Sequence, residues 1–192
     1  VRRESGLNEF NLQPSEIPVF ILCGGLGTRL REETEVRPKP MVPVGNHPIL
    51  WHIMRTYSHY GFKNFVLCLG YKGEVIKDYF HTYQWYGSDV TLRLGATPQI
   101  TYQNQHPEDD WQVPLLDTGQ ATLTGGRVLR ALAHVPGDEF LLTYGDGLSN
   151  VNLPELIEFH RRQKGLVTLT AVRPTGRFGE WSISDGQITN FL

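Results

Sequence analysis

The chain has 192 residues, 40 % hydrophobic and 11 % aromatic, enough for one domain with a sizeable core. Lys and Arg number 18 against 20 Asp and Glu, a formal net charge of −2 with no basic block, which gives nucleic-acid binding no electrostatic support. No apolar run reaches transmembrane length and the first residues lack a signal-like apolar stretch, so a cytoplasmic protein with no membrane contact is expected.

Residues 1–17 are polar and aperiodic and read as a mobile extension or an arm onto a partner, leaving 18–192 as the domain. The domain opens with an apolar run, Val19 to Cys23, expected as a buried strand. The run stops at Gly24-Gly25-Leu26-Gly27. Glycines here let the backbone turn tightly and approach a ligand with no Cβ in the way. Successive N–H groups in such a turn form a concave anion site. The plainer alternative is a strand-to-helix turn. Thr28 and Arg29 follow, and the arginine is a forked cation suited to phosphate oxygens. Lys39 comes next, braced between Pro38 and Pro40. Strand, glycine loop, arginine and braced lysine are apparatus for a polyanion, best a nucleoside triphosphate. The spacing is not that of a P-loop, because no lysine directly follows the glycines. Leu30 stands where a dinucleotide fingerprint has its third glycine.

Met41 to Val44 reads as a short extended piece, and Pro48 is placed to open a helix carrying Leu50, Ile53, Met54 and Tyr57, with Gly61 as its stop. Asn64 to Leu69 is a second buried strand, closed by Gly70. Val75, Ile76, Tyr79, Phe80 and Tyr83 have helical spacing; Val90–Leu94 and Gln99–Gln103 alternate as short strands. Residues 104–116 read as a polar loop, its Glu108-Asp109-Asp110 cluster solvated rather than metal-binding. Cys23 and Cys68 lie in apolar strands and are expected as buried thiols, with a cross-strand disulfide as the alternative; their spacing offers no zinc site.

Asp117-Thr118-Gly119 and Thr122 to Arg127 lead into a helix carrying Leu129, Leu132 and Ala133. Thr122 or Thr124 is the expected N-cap, and the helix end with Arg127 is either anion-friendly or simply well capped. Glu139 to Tyr144 is a third buried strand, running into Gly145-Asp146-Gly147. A carboxylate at the carboxyl end of such a strand lies where open α/β sheets place ligands. One Asp suffices to share Mg²⁺ with substrate phosphates; the alternative is an ordinary turn aspartate. A helix over Leu153–Lys164, a strand over Leu166–Val172, a strand at Trp181–Ile183, a turn at Asp185-Gly186 and a strand over Ile188–Leu192 complete the reading. The fold class is α/β: a Rossmann-like, mostly parallel sheet covered by helices on both faces.

The spans L-x-G-G-L-G-T-R-L, R-P-K-P-M, P-I-L-W-H-I-M, G-Y-K-G, D-T-G with T-G-G-R, Y-G-D-G and G-R-F-G together resemble the sugar-phosphate nucleotidyltransferases, and within them the glucose-1-phosphate cytidylyltransferases. The resemblance runs from about Pro18 to Leu192. It implies transfer of a cytidylyl group from CTP to glucose 1-phosphate, giving CDP-glucose and pyrophosphate, in an enzyme commonly homo-oligomeric. It implies nucleotide contacts from Leu22, Gly24, Gly25, Leu26, Gly27, Thr28, Arg29, Lys39, Thr122, Arg127 and Gly145, and Mg²⁺ on Asp146, with Arg29, Lys39 and Asp146 carrying the chemistry. It also implies a continuation with an E-K-P lysine and a second metal-binding Asp, neither found in these residues. The alternatives are a shortened, non-catalytic nucleotide-binding homologue, or a relative using UTP, dTTP or GTP.

Overall fold

The structure is a computed structural model that describes residues 13–25, 35–103, 106, 108, 110–135, 137–172, 181–184 and 187–191. They fall in two compact units, Val1–Val151 and Asn152–Leu192.

The first unit is built on a four-stranded parallel sheet of β1 (Val19–Leu22), β4 (Phe65–Leu69), β7 (Leu115–Asp117) and β8 (Leu141–Tyr144), in the order β7-β4-β1-β8. Every residue of β1 and β4 is buried, as expected of central strands covered on both sides, which therefore read as unbroken apolar runs. Alternation sends their side chains to opposite faces. Phe20, Leu22, Val66 and Cys68 cluster with Ala131 of helix α4 (Thr124–Leu132). The opposite face meets helices α1 (Ile49–His59) and α2 (Gly73–His81): Tyr57 lies near Thr143 of β8, and Gly73 abuts the Leu69 side chain. Leu50, Ile53, Met54 and Ile76 are buried on these helices. Pro48, in extended conformation, caps α1, and Gly61 at φ +91° takes the left-handed turn that ends it.

Smaller pieces surround the sheet. A 3₁₀ turn at Lys39–Met41 leads into the two-residue ladder of β2 (Pro43–Val44) and β3 (His47–Pro48). Beyond α2 come a short helix, α3 (Tyr83–Gly87), and the antiparallel hairpin of β5 (Val90–Arg93) and β6 (Gln99–Tyr102). The second unit holds α5 (Leu153–Gln163), capped by the Asn152 side chain, and the antiparallel pair β9 (Trp181–Ser184) and β10 (Gln187–Phe191).

Five expectations need correction. Residues 14–17 are not a free extension: Pro14–Glu16 form a 3₁₀ turn, Ile17 is buried and Pro14 reaches Gly61. The helix expected through Tyr83 breaks at Thr82 into α2 and α3. The loop expected over 104–116 contains the start of β7, because Leu115 and Leu116 find open backbone groups on Leu67 and Cys68. Residues 166–172 form no strand and are largely exposed; apolar β-branched composition makes no strand without a ladder partner. Glu108 is not solvated, since its side chain is nearly buried beside Arg55. The Asp185-Gly186 turn lies outside the described residues. Among the described residues no helix is long and apolar enough to cross a membrane.

Candidate active site

The strand order reverses direction at β1. From β1 the chain moves to β4 and β7 on one side, and only later returns to place β8 on the other. In an open parallel sheet such a switch point leaves a crevice at the strands' carboxyl ends. Gly24 and Gly25 follow β1 and Gly145-Asp146 follow β8, so the two loops flank that crevice.

Tight packing brings them together. The Gly145 N–H donates to the Leu22 carbonyl at 3.0 Å. A Cβ at Gly145 would lie 2.7 Å from Pro40 Cγ and 3.1 Å from both Cys23 Sγ and the Leu22 oxygen. Pro38, Pro40 and Met41 are buried, so the lysine between the prolines is fixed at its backbone while its side chain remains about a third exposed. The ammonium of Lys39 forms an ion pair with the Asp146 carboxylate. The braced lysine and the glycine-flanked aspartate, 107 residues apart in sequence, thus share one position at the crevice.

Gly24 is buried and Gly25 exposed. Among the described residues a Cβ on Gly25 would touch nothing. Leu26, Gly27, Thr28 and Arg29 lie outside the described residues. Leu22 ends β1 and is nearly buried.

The N-cap expected at Thr122 or Thr124 needs revision. Helix α4 has Leu123 at its N-cap, with no side-chain cap bond, and Thr124 is its first residue. The Thr122 hydroxyl instead accepts from Arg130 Nη1 at 2.8 Å. Arg127 is not a free cation at a helix end. It is buried, with Nη1 donating to the Leu69 carbonyl and the Thr118 hydroxyl, and Nη2 to the carbonyls of Gly24 and Gln120. Thr118 and Gly70 were not singled out from the sequence as site residues. The only hint was their place in the D-T-G and G-Y-K-G spans, each just after an apolar strand.

Cys23 and Cys68 are free and buried beside this loop. Burial pushes the Cys68 thiol up to about 11, against an opposing pull from Arg127. Burial, with Cys68 and Asp146 nearby, pushes the Cys23 thiol up further. Both are packing groups rather than nucleophiles.

As for a metal, no group of three His, Cys, Asp or Glu side chains clusters among the described residues. Asp146 alone, partly exposed at the crevice, fits an ion that takes most of its ligands from water and phosphate, as Mg²⁺ does. Its carboxylate pairs with the Lys39 ammonium.

Comparison with known proteins bears on the family and the fold. The model of the family described as Nucleotidyl transferase matches residues 18–192. The glucose-1-phosphate cytidylyltransferase of Salmonella typhi is 48 % identical over 172 residues, 89 % of this chain and 66 % of that protein. The probable glucose-1-phosphate cytidylyltransferase of Bacillus subtilis (strain 168) is 45 % identical over 171 residues, with the same coverage of 89 % and 66 %. The chain therefore spans about two thirds of the length of these curated relatives. Among solved structures, HddC from Yersinia pseudotuberculosis complexed with GMP-PN shares the fold, with a TM-score of 0.56 at 21 % identity over 92 % of this chain and 68 % of that one.

Proposed function

Since the chain belongs to the nucleotidyl transferase family, we propose that its crevice takes CTP and glucose 1-phosphate and that it carries the nucleotide-holding part of a cytidylyl transfer. The observation that carries this reading is the meeting of Lys39 and Asp146 at the switch point beside the exposed Gly25. The identity to glucose-1-phosphate cytidylyltransferases supports CTP and glucose 1-phosphate as the substrates.

In the proposed reaction an oxygen of the sugar phosphate attacks the α-phosphorus of CTP in line. The bond to the bridging oxygen breaks and pyrophosphate leaves with the electron pair. No protein nucleophile is required, because the attacking group is already an anion. The task is to hold two mutually repelling anions together and to neutralise charge on the leaving group. Gly24 and Gly25 offer backbone to the triphosphate, and Arg29 and Thr28 are proposed to complete that loop. Lys39 screens the phosphates at the reacting centre. Asp146 would hold Mg²⁺, which when bound supplies neutralising charge at phosphate oxygens. Lys39 and Asp146 neutralise each other until the substrate's phosphates and their cation compete for them.

The test is pyrophosphate release from CTP on this 192-residue chain, with Mg²⁺ and glucose 1-phosphate, beside a binding panel of CTP, UTP, dTTP and GTP. Release dependent on both substrates supports the reading. Binding of CTP without release would limit it to nucleotide binding. Preference for another triphosphate would replace CTP, and no binding of any of the four would overturn the reading.

A further inference from the structure

We propose that the cavity walled by α1, α2 and α3 is a second ligand site, separate from the crevice, and that it takes a neutral polyhydroxylated ring of hexose size.

The cavity measures about 440 Å³. A water fills about 30 Å³, so this is far more room than one or two bound waters need, and it falls within the roughly 300–1,000 Å³ of small-molecule sites. His47 of β3, Trp51 and Arg55 of α1, Tyr79 of α2 and Tyr83 of α3 line it, joined by His106 and Glu108. None of the residues that line it was placed at the crevice, so this proposal goes beyond the nucleotide reading and does not rest on it.

The walls hold one another in place. Trp51 Nε1 donates to the Tyr83 phenol oxygen at 2.8 Å. His47 stacks on Trp51, with ring centres 4.0 Å apart and planes at 13°. Tyr83 meets Tyr79 edge-on at 5.6 Å and His106 edge-on at 5.8 Å. Rings fixed in this way lose little freedom when a ligand arrives.

The polar groups in these walls are not spent on each other. The Tyr79 phenol oxygen is buried and has no hydrogen-bond partner among the described residues, a state that folded proteins rarely leave unanswered. The Glu108 side chain is only 7 % exposed, and its Oε1 lies 3.7 Å from Arg55 Nη1, close enough to offset charge but too long for a hydrogen bond.

The ligand's chemistry follows from this set. Offset charges favour neither an anion nor a cation. The Glu108 carboxylate can only accept, Arg55 can only donate, and the Tyr79 hydroxyl can do either. A ring bearing several hydroxyls answers all three, because each hydroxyl both donates and accepts. Its C–H face packs on the electron-rich faces of Tyr and Trp rings. A flat heteroaromatic ring would instead need two parallel walls with a gap between them. His47 and Trp51 are near-parallel but already closed on each other, and Tyr79, Tyr83 and His106 meet edge-on.

The test titrates the isotope-labelled full chain separately with glucose, cytidine, choline and inorganic phosphate, and follows the indole N–H signals of its four tryptophans by NMR. Glucose should shift the Trp51 signal saturably, in the millimolar range expected of so small a ligand, and leave the Trp111 N–H, engaged on Ser58, unmoved. Tyr79→Phe should raise the glucose Kd roughly three- to tenfold, the worth of one hydrogen bond, without lowering the thermal midpoint, since the hydroxyl it removes has no partner to lose. Glu108→Gln should weaken glucose at least as much. Lys39→Ala, in the crevice, should leave the glucose Kd unchanged. The inference fails if glucose leaves Trp51 unmoved, if cytidine, choline or phosphate binds there more tightly than glucose, or if Lys39→Ala abolishes the shift. It fails equally if Tyr79→Phe binds glucose as the parent does, or melts earlier, which would show the phenol already satisfied within the fold.

Discussion

Replacing Gly145 by alanine tests whether close packing sets the spacing of Lys39 and Asp146. The new Cβ would lie 2.7 Å from Pro40 Cγ, about 0.7 Å inside the shortest ordinary contact, and 3.1 Å from Cys23 Sγ and the Leu22 oxygen. None of these can swing aside: the proline is a buried ring, and the other two belong to a buried strand end. Gly145 is not among the positive-φ glycines, so contact alone is at issue. Overpacking of this size costs about 1–3 kcal/mol. Relief must come from separating the end of β8 from the Lys39–Met41 turn, which moves Asp146 away from Lys39. We expect urea unfolding to show that loss, and CTP affinity in the presence of Mg²⁺ to fall roughly tenfold, about 1.4 kcal/mol. A loss of stability below about 0.5 kcal/mol would show that Pro40 yields freely, against the packing argument. A full loss of stability with unchanged affinity would show that binding does not depend on the spacing of the pair.

Lys39→Ala should cost about 1 kcal/mol of stability or less, because both partners of its ion pair are about a third exposed, and should lower pyrophosphate release on the order of a hundredfold or more. Retained turnover would remove Lys39 from the chemistry. Leu67→Ala, at a fully buried site in β4, should cost about 2–5 kcal/mol in urea unfolding, with a smaller value refuting the two-face packing of the sheet. The raised Cys68 pKa favours the neutral thiol in the folded state. Its contribution to stability is complete below the ordinary thiol value of 9.0 and is lost as pH rises through about 11. Unfolding titrations from pH 8 to 11 should therefore fall less steeply in Cys68→Ala than in the parent. Iodoacetamide should label Cys23 and Cys68 quickly only in urea; fast native labelling at pH 8 would contradict their burial.

What local chemistry fixes is readable from the residues. The unbroken apolar runs of β1 and β4 have no amphipathic alternative, so they had to be central strands of a covered sheet. Their abrupt glycine stops, and the glycines flanking Asp146, mark the ligand edge by residue type alone. The helices α1 and α5 follow from apolar spacing and from punctuation by Pro48, Gly61 and Asn152. Tertiary structure decided the rest. Strand order, which sets β8 beside β1 rather than beside β7, is a long-range pairing with no local signature, yet with the packing of Pro40 on Gly145 it brings Lys39 to Asp146. It also gave β7 its partner and left 166–172 without one. Arg127 shows the difference most clearly: its sequence context at a helix start suggests an exposed cation, and only the folded chain shows four acceptors, at or just past the ends of three strands, converging on its fork. A side chain's type is local, but whether its charge meets solvent or protein depends on what the rest of the chain packs around it.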